Sequence, residues 1–347
     1  MTNEKMFITG NEAAVLGAID AGAKAMFGYP ITPATEILEG FIGKAQKDES
    51  LIYLQTEDEI AAGFSVIGAV LGGVKAFTAS AGPGHILLQD PISMAENMRL
   101  PFVGIMMQRG GPSTGTVNFS QQEVNLAAFG GNGDGLRIVY SVSSVAEMYD
   151  IVIQAFSAAW KYRFPTIVLG DGYLGKMKQN VTLKRPLNPV ESEKILLEAS
   201  KPTYLRNCYS SEVEFGEKLN KDIADWNEVK AKIAKSDQYK VDEAQDLIIA
   251  HGLVASAARE TVTTLRKEKA KIGLFRPITL HPLDVKALKL AVAGKKRIFI
   301  IESSMNQFSR LIKYELAGIK TNIVEITKPA QGFTPDEIIN EIRKYNG

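Results

Sequence analysis

Up to about residue 180 the chain alternates between two hydrophobic periods. Apolar residues recur at helical spacing in "NEAAVLGAIDAGA" (11–23), "TEILEGFIGKA" (35–45), "EIAAGFSVIGAVLGG" (59–73) and, most clearly, "VAEMYDIVIQAFSAAWKY" (145–162). Between them stand short β-rich runs: "KAMFGY" (24–29), "LIYLQ" (51–55), "VKAFTAS" (74–80), "PFVGIMM" (101–107), "RIVYS" (137–141) and "TIVLGD" (166–171). Runs this apolar suit strands buried on both faces, so the pattern predicts an α/β domain with a parallel sheet. From 184 to 246 the pattern changes to charged, helical-period sequence such as "VEFGEKLNKDIADWNEVKAKIAK", with no strand-like run. Alternation resumes with "DLIIAHG" (246–252), "KIGLFRP" (271–277), "RIFIIES" (297–303) and "TNIVEIT" (321–327), and the chain closes with the helical "PDEIINEIRKY" (335–345). The expectation is two doubly wound α/β domains, 1–184 and 246–347, joined by a charged helical connector at 185–245.

Composition narrows the function classes. The 347 residues suffice for two domains, and a formal charge of +1 with 23% charged residues favours neither nucleic acid nor a membrane surface as partner. The single cysteine, Cys208, excludes an internal disulfide and any iron–sulfur cluster ligated wholly by this chain. No apolar run approaches ~20 residues, and Glu4 and Lys5 open no signal-peptide pattern, so a soluble cytoplasmic protein is expected.

In an open parallel sheet, ligands bind beyond the carboxyl ends of the strands. Four such ends carry unusual residues: "YPITP" (29–33), "TEDE" (56–59), "AGPGH" (81–85) and "QRGGPSTG" (108–115). Each also has a structural reading. Pro30 and Pro33 stiffen Ile31 and Thr32, with Pro33 suited to the first turn of the next helix. Thr56 and Glu59 fit a capping box. Gly82 and Gly84 offer backbone N–H groups at a helix start, as an anion cradle or an ordinary turn. Arg109 can grip a carboxylate through two parallel bonds, with Ser113 and Thr114 adding hydroxyls, or can be a solvated loop arginine. His85, His251 and His281 show no metal-ligand spacing, and only His85 falls near this cleft.

Together these motifs resemble the α subunit of the thiamine-diphosphate-dependent 2-oxoacid:ferredoxin oxidoreductases. "GNEA" (10–13), "GYPITPATEI" (28–37), "EDEIAAG" (57–63), "IGAVLGGVKAFTASAGPG" (67–84), "QRGGPSTG" (108–115) and the segment 146–177 resemble its pyrimidine-binding domain in order and spacing. Residues 247–283 resemble the next domain, which is similar to the C-terminal domain of transketolases. The resemblance implies that Glu59 hydrogen-bonds N1′ of the aminopyrimidine, which promotes loss of the C2 proton. It implies that Thr32 and Arg109 meet the substrate and its carboxylate, that Ser113 and Thr114 lie beside them, and that Tyr29, Pro30, Ile31, Gly82 and Gly84 line the cofactor.

The chain departs from the family at Ala81, Asp90, "TVNFSQQEVN" (116–125) and "GNGDG" (131–135), and the segment after "PSTG" is where substrate choice is expected. A thiamine enzyme also holds diphosphate and Mg²⁺, commonly through a GDG followed some 25–30 residues later by asparagine. Neither 133–135 nor 170–172 has its asparagine at that distance, so no metal site is expected here. Diphosphate and Mg²⁺ binding then belong to a β subunit that shares the cofactor, and iron–sulfur clusters to partner chains, with γ and ferredoxin-like δ subunits expected. The implied reaction is CoA-dependent oxidative decarboxylation of a 2-oxoacid with ferredoxin as acceptor, or its reverse. The residues do not decide between 2-oxoglutarate, branched-chain oxoacids and pyruvate; 2-oxoglutarate is favoured only by the resemblance of "EDEI" with "RGGPSTG" to the family. A transketolase-type transferase subunit and a noncatalytic assembly subunit of the same fold remain the alternatives.

Overall fold

The computed structural model describes residues 2–191 and 204–345, so residues 192–203 of the expected connector lie outside the described residues. In chain order the strands are β1 Thr2–Thr9, β2 Ala25–Gly28, β3 Ile52–Gln55, β4 Ala76–Ser80, β5 Val103–Gln108, β6 Ile138–Ser141 and β7 Thr166–Asp171. They continue with β8 Lys178–Arg185, β9 Ser236–Tyr239, β10 Asp246–Ile249, β11 Ile272–Pro277, β12 Thr279–His281, β13 Arg297–Glu302 and β14 Asn322–Thr327.

A seven-stranded sheet runs β12-β6-β7-β5-β4-β2-β3, parallel except for β12. Its central strands β4, β5, β6 and β7 are buried throughout, which is why they read as unbroken apolar runs. The predicted helices form at Thr35–Ala45, Glu59–Leu71 and Val145–Tyr162. The last is started by Ser144, whose hydroxyl accepts from Glu147 N, and stopped by Arg163 in the left-handed region. Helix Gly10–Asp20 packs between Thr35–Ala45 and Val145–Tyr162, while Glu59–Leu71 packs with Gln89–Asn97. A second sheet, β14-β13-β10-β11-β9, carries helices Gly252–Lys267 and Pro335–Arg343 packed on each other.

Four strands depart from the sequence reading. The expected helix at 213–235 forms as Glu212–Ile233, but β9 follows at 236–239, where no strand-like run was read. "SDQY" has no apolar face. It is extended because it hydrogen-bonds antiparallel to the edge of β11. β12, in "TLH", leaves the second unit to pair with β6 of the first sheet. β1 and β8 form an antiparallel ribbon, with Thr9 opposite Lys178. Such short or edge strands are dictated by the partner edge rather than by their own periodicity.

Candidate active site

The route of the chain creates the cleft. From β2 it steps outward to β3, then returns across β2 to β4 and continues to β5. Progression therefore reverses at the β2/β4 gap, the position where open α/β sheets take ligands. The four segments singled out above leave the adjacent ends of β2, β3, β4 and β5.

Glu59 opens the helix after β3, but the capping box with Thr56 does not form. Asp58 is the cap: extended at φ −154, it accepts from Ala61 N at 2.7 Å, and Thr56 Oγ1 donates to the Asp58 carbonyl at 2.8 Å. Asp58 lies nearer the free amides and takes over the cap, so Glu59 is released to point inward. It is 4% exposed, and its Oε1 has no hydrogen-bond partner among the described residues. Ser80 Oγ, at the end of β4, is likewise buried without a partner. Both atoms face Gly84, where a Cβ would lie 2.2 Å from each. Burial raises the Glu59 carboxyl above its usual range, opposed first by its own backbone N–H and then, more weakly, by the nearby Ser80 hydroxyl and Arg109, with Asp58 adding to the rise.

Arg109 lies on the other side of the glycine loop. Gly82 adopts φ +53, and a Cβ there would stand 2.7 Å from Arg109 Nε. Arg109 is 6% exposed, Nη1 donates to the Thr32 carbonyl at 2.9 Å, and Nε has no partner among the described residues. The turn carrying Thr32 is held from the opposite side by buried Asn11, whose Nδ2 donates to the Pro33 carbonyl at 2.8 Å and to Glu36 at 3.0 Å. Pro33 stands before the next helix, which starts at Thr35, rather than in its first turn, and the Thr32–Pro33 peptide is cis. Tyr29 is exposed and Pro30, Ile31 and Thr32 are half-buried on this rim. Ser113 and Thr114 are exposed at the tip of the loop beyond Arg109 and make no hydrogen bond among the described residues. The fold thus gathers Glu59, Gly82, Gly84, Arg109 and Thr32, and leaves Ser113 and Thr114 at the mouth.

Several residues of this framework had no role in the sequence reading: Asn11, Gln108, Gln121, Glu123 and Asp171. Glu123 Oε1 accepts from Gly82 N at 2.9 Å and Arg109 N at 3.0 Å, and its Oε2 lies 2.8 Å from His85 Nδ1. "GNEA" was visible as a motif and "TVNFSQQEVN" as a departure from the family, but nothing in them named the atoms they would meet. Behind them, Asp171 accepts from Gln108 and Gln121, both at 3.2 Å, and from Leu253 N at 2.6 Å at the start of helix Gly252–Lys267. Gln121 also accepts from Ser303 N at 3.0 Å, so the loop below Arg109 is bolted to the second unit.

The aspartate of the 170–172 GDG is therefore committed to an internal junction, and Asp134 of the other GDG lies on an exposed loop. Among the described residues no group of three His, Cys, Asp or Glu could hold a metal ion.

Burial pushes the Asp171 carboxyl up to about 7 from 3.8. It is thus neutral in the folded chain over a range where the unfolded chain is ionised. Its contribution to stability is complete below about pH 4, declines as pH rises, and is lost above about pH 7, with a ceiling on the order of 4 kcal/mol. Buried His251, pushed down to about 3, has the opposite slope over much of that range. Comparison with a variant isolates the aspartate: urea midpoints measured from pH 4.5 to 8 are expected to show Asp171→Asn gaining relative to wild type as pH rises. Parallel profiles would refute the assignment.

A buried, unpartnered carboxylate oxygen against a glycine that admits no Cβ suits the edge of a flat heterocycle carrying a ring nitrogen. Residues 16–250 match the family described as "Pyruvate flavodoxin/ferredoxin oxidoreductase, thiamine diP-bdg", and residues 244–337 match "Pyruvate:ferredoxin oxidoreductase core domain II". The chain is 32% identical to the 2-oxoglutarate synthase subunit KorA of Methanothermobacter marburgensis, over 98% of each chain. It is 34% identical to the ketoisovalerate oxidoreductase subunit VorB of the same organism, over 88% of each. The solved 2-oxoglutarate:ferredoxin oxidoreductase from Magnetococcus marinus, with 2-oxoglutarate, coenzyme A and succinyl-CoA bound, superposes with a TM-score of 0.89 at 28% identity. That match takes in 98% of this chain and 65% of the other. Its fold, its cleft and these matches place the chain in the thiamine-diphosphate-binding family of pyruvate flavodoxin/ferredoxin oxidoreductases.

Proposed function

We propose that this chain is the α subunit of a 2-oxoacid:ferredoxin oxidoreductase, with 2-oxoglutarate as the favoured substrate. The observation that carries this reading is the unpartnered, buried Glu59 Oε1 facing Gly84, with Arg109 across the same glycine loop. The reaction converts 2-oxoacid and CoA to acyl-CoA and CO₂, with two electrons passing to ferredoxin, or runs in reverse. Thiamine diphosphate, when bound, supplies a nucleophilic carbon and a sink for the electron pair left by decarboxylation.

The protein's part is orientation and proton control. Glu59 would hold the ring nitrogen of the aminopyrimidine, and burial, which raises its carboxyl above the usual range, favours sharing a proton with that nitrogen. Gly82 and Gly84 let the ring approach the backbone, beside Tyr29, Pro30 and Ile31. Arg109 would take the oxoacid carboxylate, with the Thr32 hydroxyl beside it and Ser113 and Thr114 at the entrance. Cys208 alone cannot ligate a cluster, so the electrons leave through clusters held by other chains. A β subunit would bring the diphosphate and Mg²⁺ site, and γ and ferredoxin-like δ subunits the route to ferredoxin.

A partner also has a surface to cover. The edge strand β3 is exposed along its whole length, including Ile52, Tyr53 and Leu54, and exposed Ile60, Phe64 and Ile86 lie on the two helices beside the cleft. An open apolar edge of this kind invites association. No helix among the described residues is long and apolar enough to cross a membrane, and the partners proposed here, CoA and ferredoxin, are those of the cytoplasm.

The test is to co-express the chain with its genomic neighbours, purify the complex and follow CoA-dependent viologen reduction across 2-oxoglutarate, branched-chain oxoacids and pyruvate. Activity restricted to the complex and greatest with 2-oxoglutarate is expected. A chain that purifies alone, or a complex inert toward every oxoacid, would overturn the reading.

A further inference from the structure

We infer that Glu123 is a positioning residue that locks Arg109 and the glycine loop into one unit for oxoacid capture. The inference rests on the function proposed above for Arg109. Glu123 precedes helix Val124–Phe129 in the cap position, yet its side chain makes no capping bond to that helix. It turns instead into the protein, 4% exposed, and one oxygen accepts from the backbone N–H of both Gly82 and Arg109. These two amides end different strands, 41 and 14 residues away in sequence. Without that oxygen the buried Arg109 N–H and the half-buried Gly82 N–H would both lose their protein acceptor, which favours this arrangement.

The second oxygen is occupied as well. His85 Nδ1 lies 2.8 Å from it, on a fully buried ring, so the carboxylate cannot rotate away from the two amides. The backbone of Glu123 is fixed in turn, since its N–H donates to Gln108 Oε1 at 3.2 Å while Gln108 Nε2 donates to Asp171. The chain of contacts runs from the junction between the two sheets, through Glu123, to the Cα of Arg109 and the φ +53 turn at Gly82. A carboxylate clamp on a substrate works only when both partners are held to a fraction of an ångström. Glu123 touches neither the substrate nor the cofactor in this account. It sets where Arg109 begins.

The experiment uses the assembled complex with Glu123→Gln and Glu123→Ala. Glutamine keeps an oxygen for the amides but loses the charge, and it remains informative if the alanine chain fails to fold. Expected are an oxoacid KM raised roughly tenfold or more in Glu123→Ala and less in Glu123→Gln, with kcat within about threefold of wild type. Backbone hydrogen exchange, read by mass spectrometry, should quicken in peptides covering 80–85 and 107–111 and stay unchanged in the second sheet. Unaltered exchange at those peptides refutes the clamp, as does a fall in kcat without a rise in KM. A wild-type complex that turns over no oxoacid refutes the proposed function instead, and the exchange measurement still decides whether Glu123 holds the two amides.

Discussion

Glu59→Gln is expected to lower oxoacid turnover by the assembled complex about 10²- to 10⁴-fold, the range over which a positioned proton-transfer group contributes. Glutamine has the same length and still offers an N–H to a ring nitrogen, but it cannot give up or take back a proton. The fold should survive the change. Oε1 has no partner to lose among the described residues, and burial already disfavours the charged carboxylate, so a neutral amide stands there without that cost. Thermal unfolding of the variant should therefore match or exceed wild type while its rate collapses. Retention of turnover within tenfold of wild type would remove Glu59 from the reaction.

Arg109 carries the second large effect. Truncation to alanine would remove the proposed charge-assisted bond to the oxoacid carboxylate, worth about 1.5–3 kcal/mol, and would also free the Thr32 carbonyl that Nη1 now holds. Loss of both should reduce kcat/KM for the oxoacid roughly 10²- to 10³-fold. Arg109→Lys should recover little, because a single ammonium cannot hold the carbonyl and a carboxylate in the geometry of the guanidinium. Thr32→Ala is the companion measurement. It deletes the hydroxyl but keeps the carbonyl on Arg109, so its loss should be smaller and confined to turnover or oxoacid binding. An Arg109→Ala complex with unchanged kcat/KM would sink the carboxylate assignment.

What could be read from the residues differs sharply between core and site. The helices at 35–45 and 145–162 appear in the structure at the residues where the hydrophobic period began and ended. Their apolar stripes face the sheet, and burial of a stripe is a local property of the sequence. The strand ends at "YPITP", "AGPGH" and "QRGGPSTG" were legible for a related reason: glycine and proline restrict the backbone wherever they occur. The capping of Glu59 was misread, because Thr56 and Asp58 both satisfy the sequence rule for a cap and only the three-dimensional turn shows which one reaches Ala61 N.

Glu123, Asn11 and Asp171 lay beyond that kind of reading. A glutamate beside a helix start is ordinarily a cap, and nothing in "QQEVN" shows that this one reaches Gly82 instead. Asp171 sat within a GDG and could be judged only by the absence of a suitably spaced asparagine, whereas the structure turns it toward the start of a helix 82 residues away. β9 and β12 had no periodic signature at all, since their extended form comes from the edges they pair with.

By itself, the sequence determined the α/β class, the parallel strands with their glycine- and proline-marked ends, and the want of cysteines for a cluster. Those follow from periodicity, backbone restriction and composition, each of which acts within a few neighbouring residues or over the chain as a whole. The tertiary structure alone decided that the β2, β3, β4 and β5 ends stand side by side, that Glu59 is left with an unpartnered oxygen, and that Glu123 joins Gly82 to Arg109. Strand order and buried hydrogen bonds are set by which distant segments satisfy one another's exposed groups, and that choice is made only when the whole chain has closed.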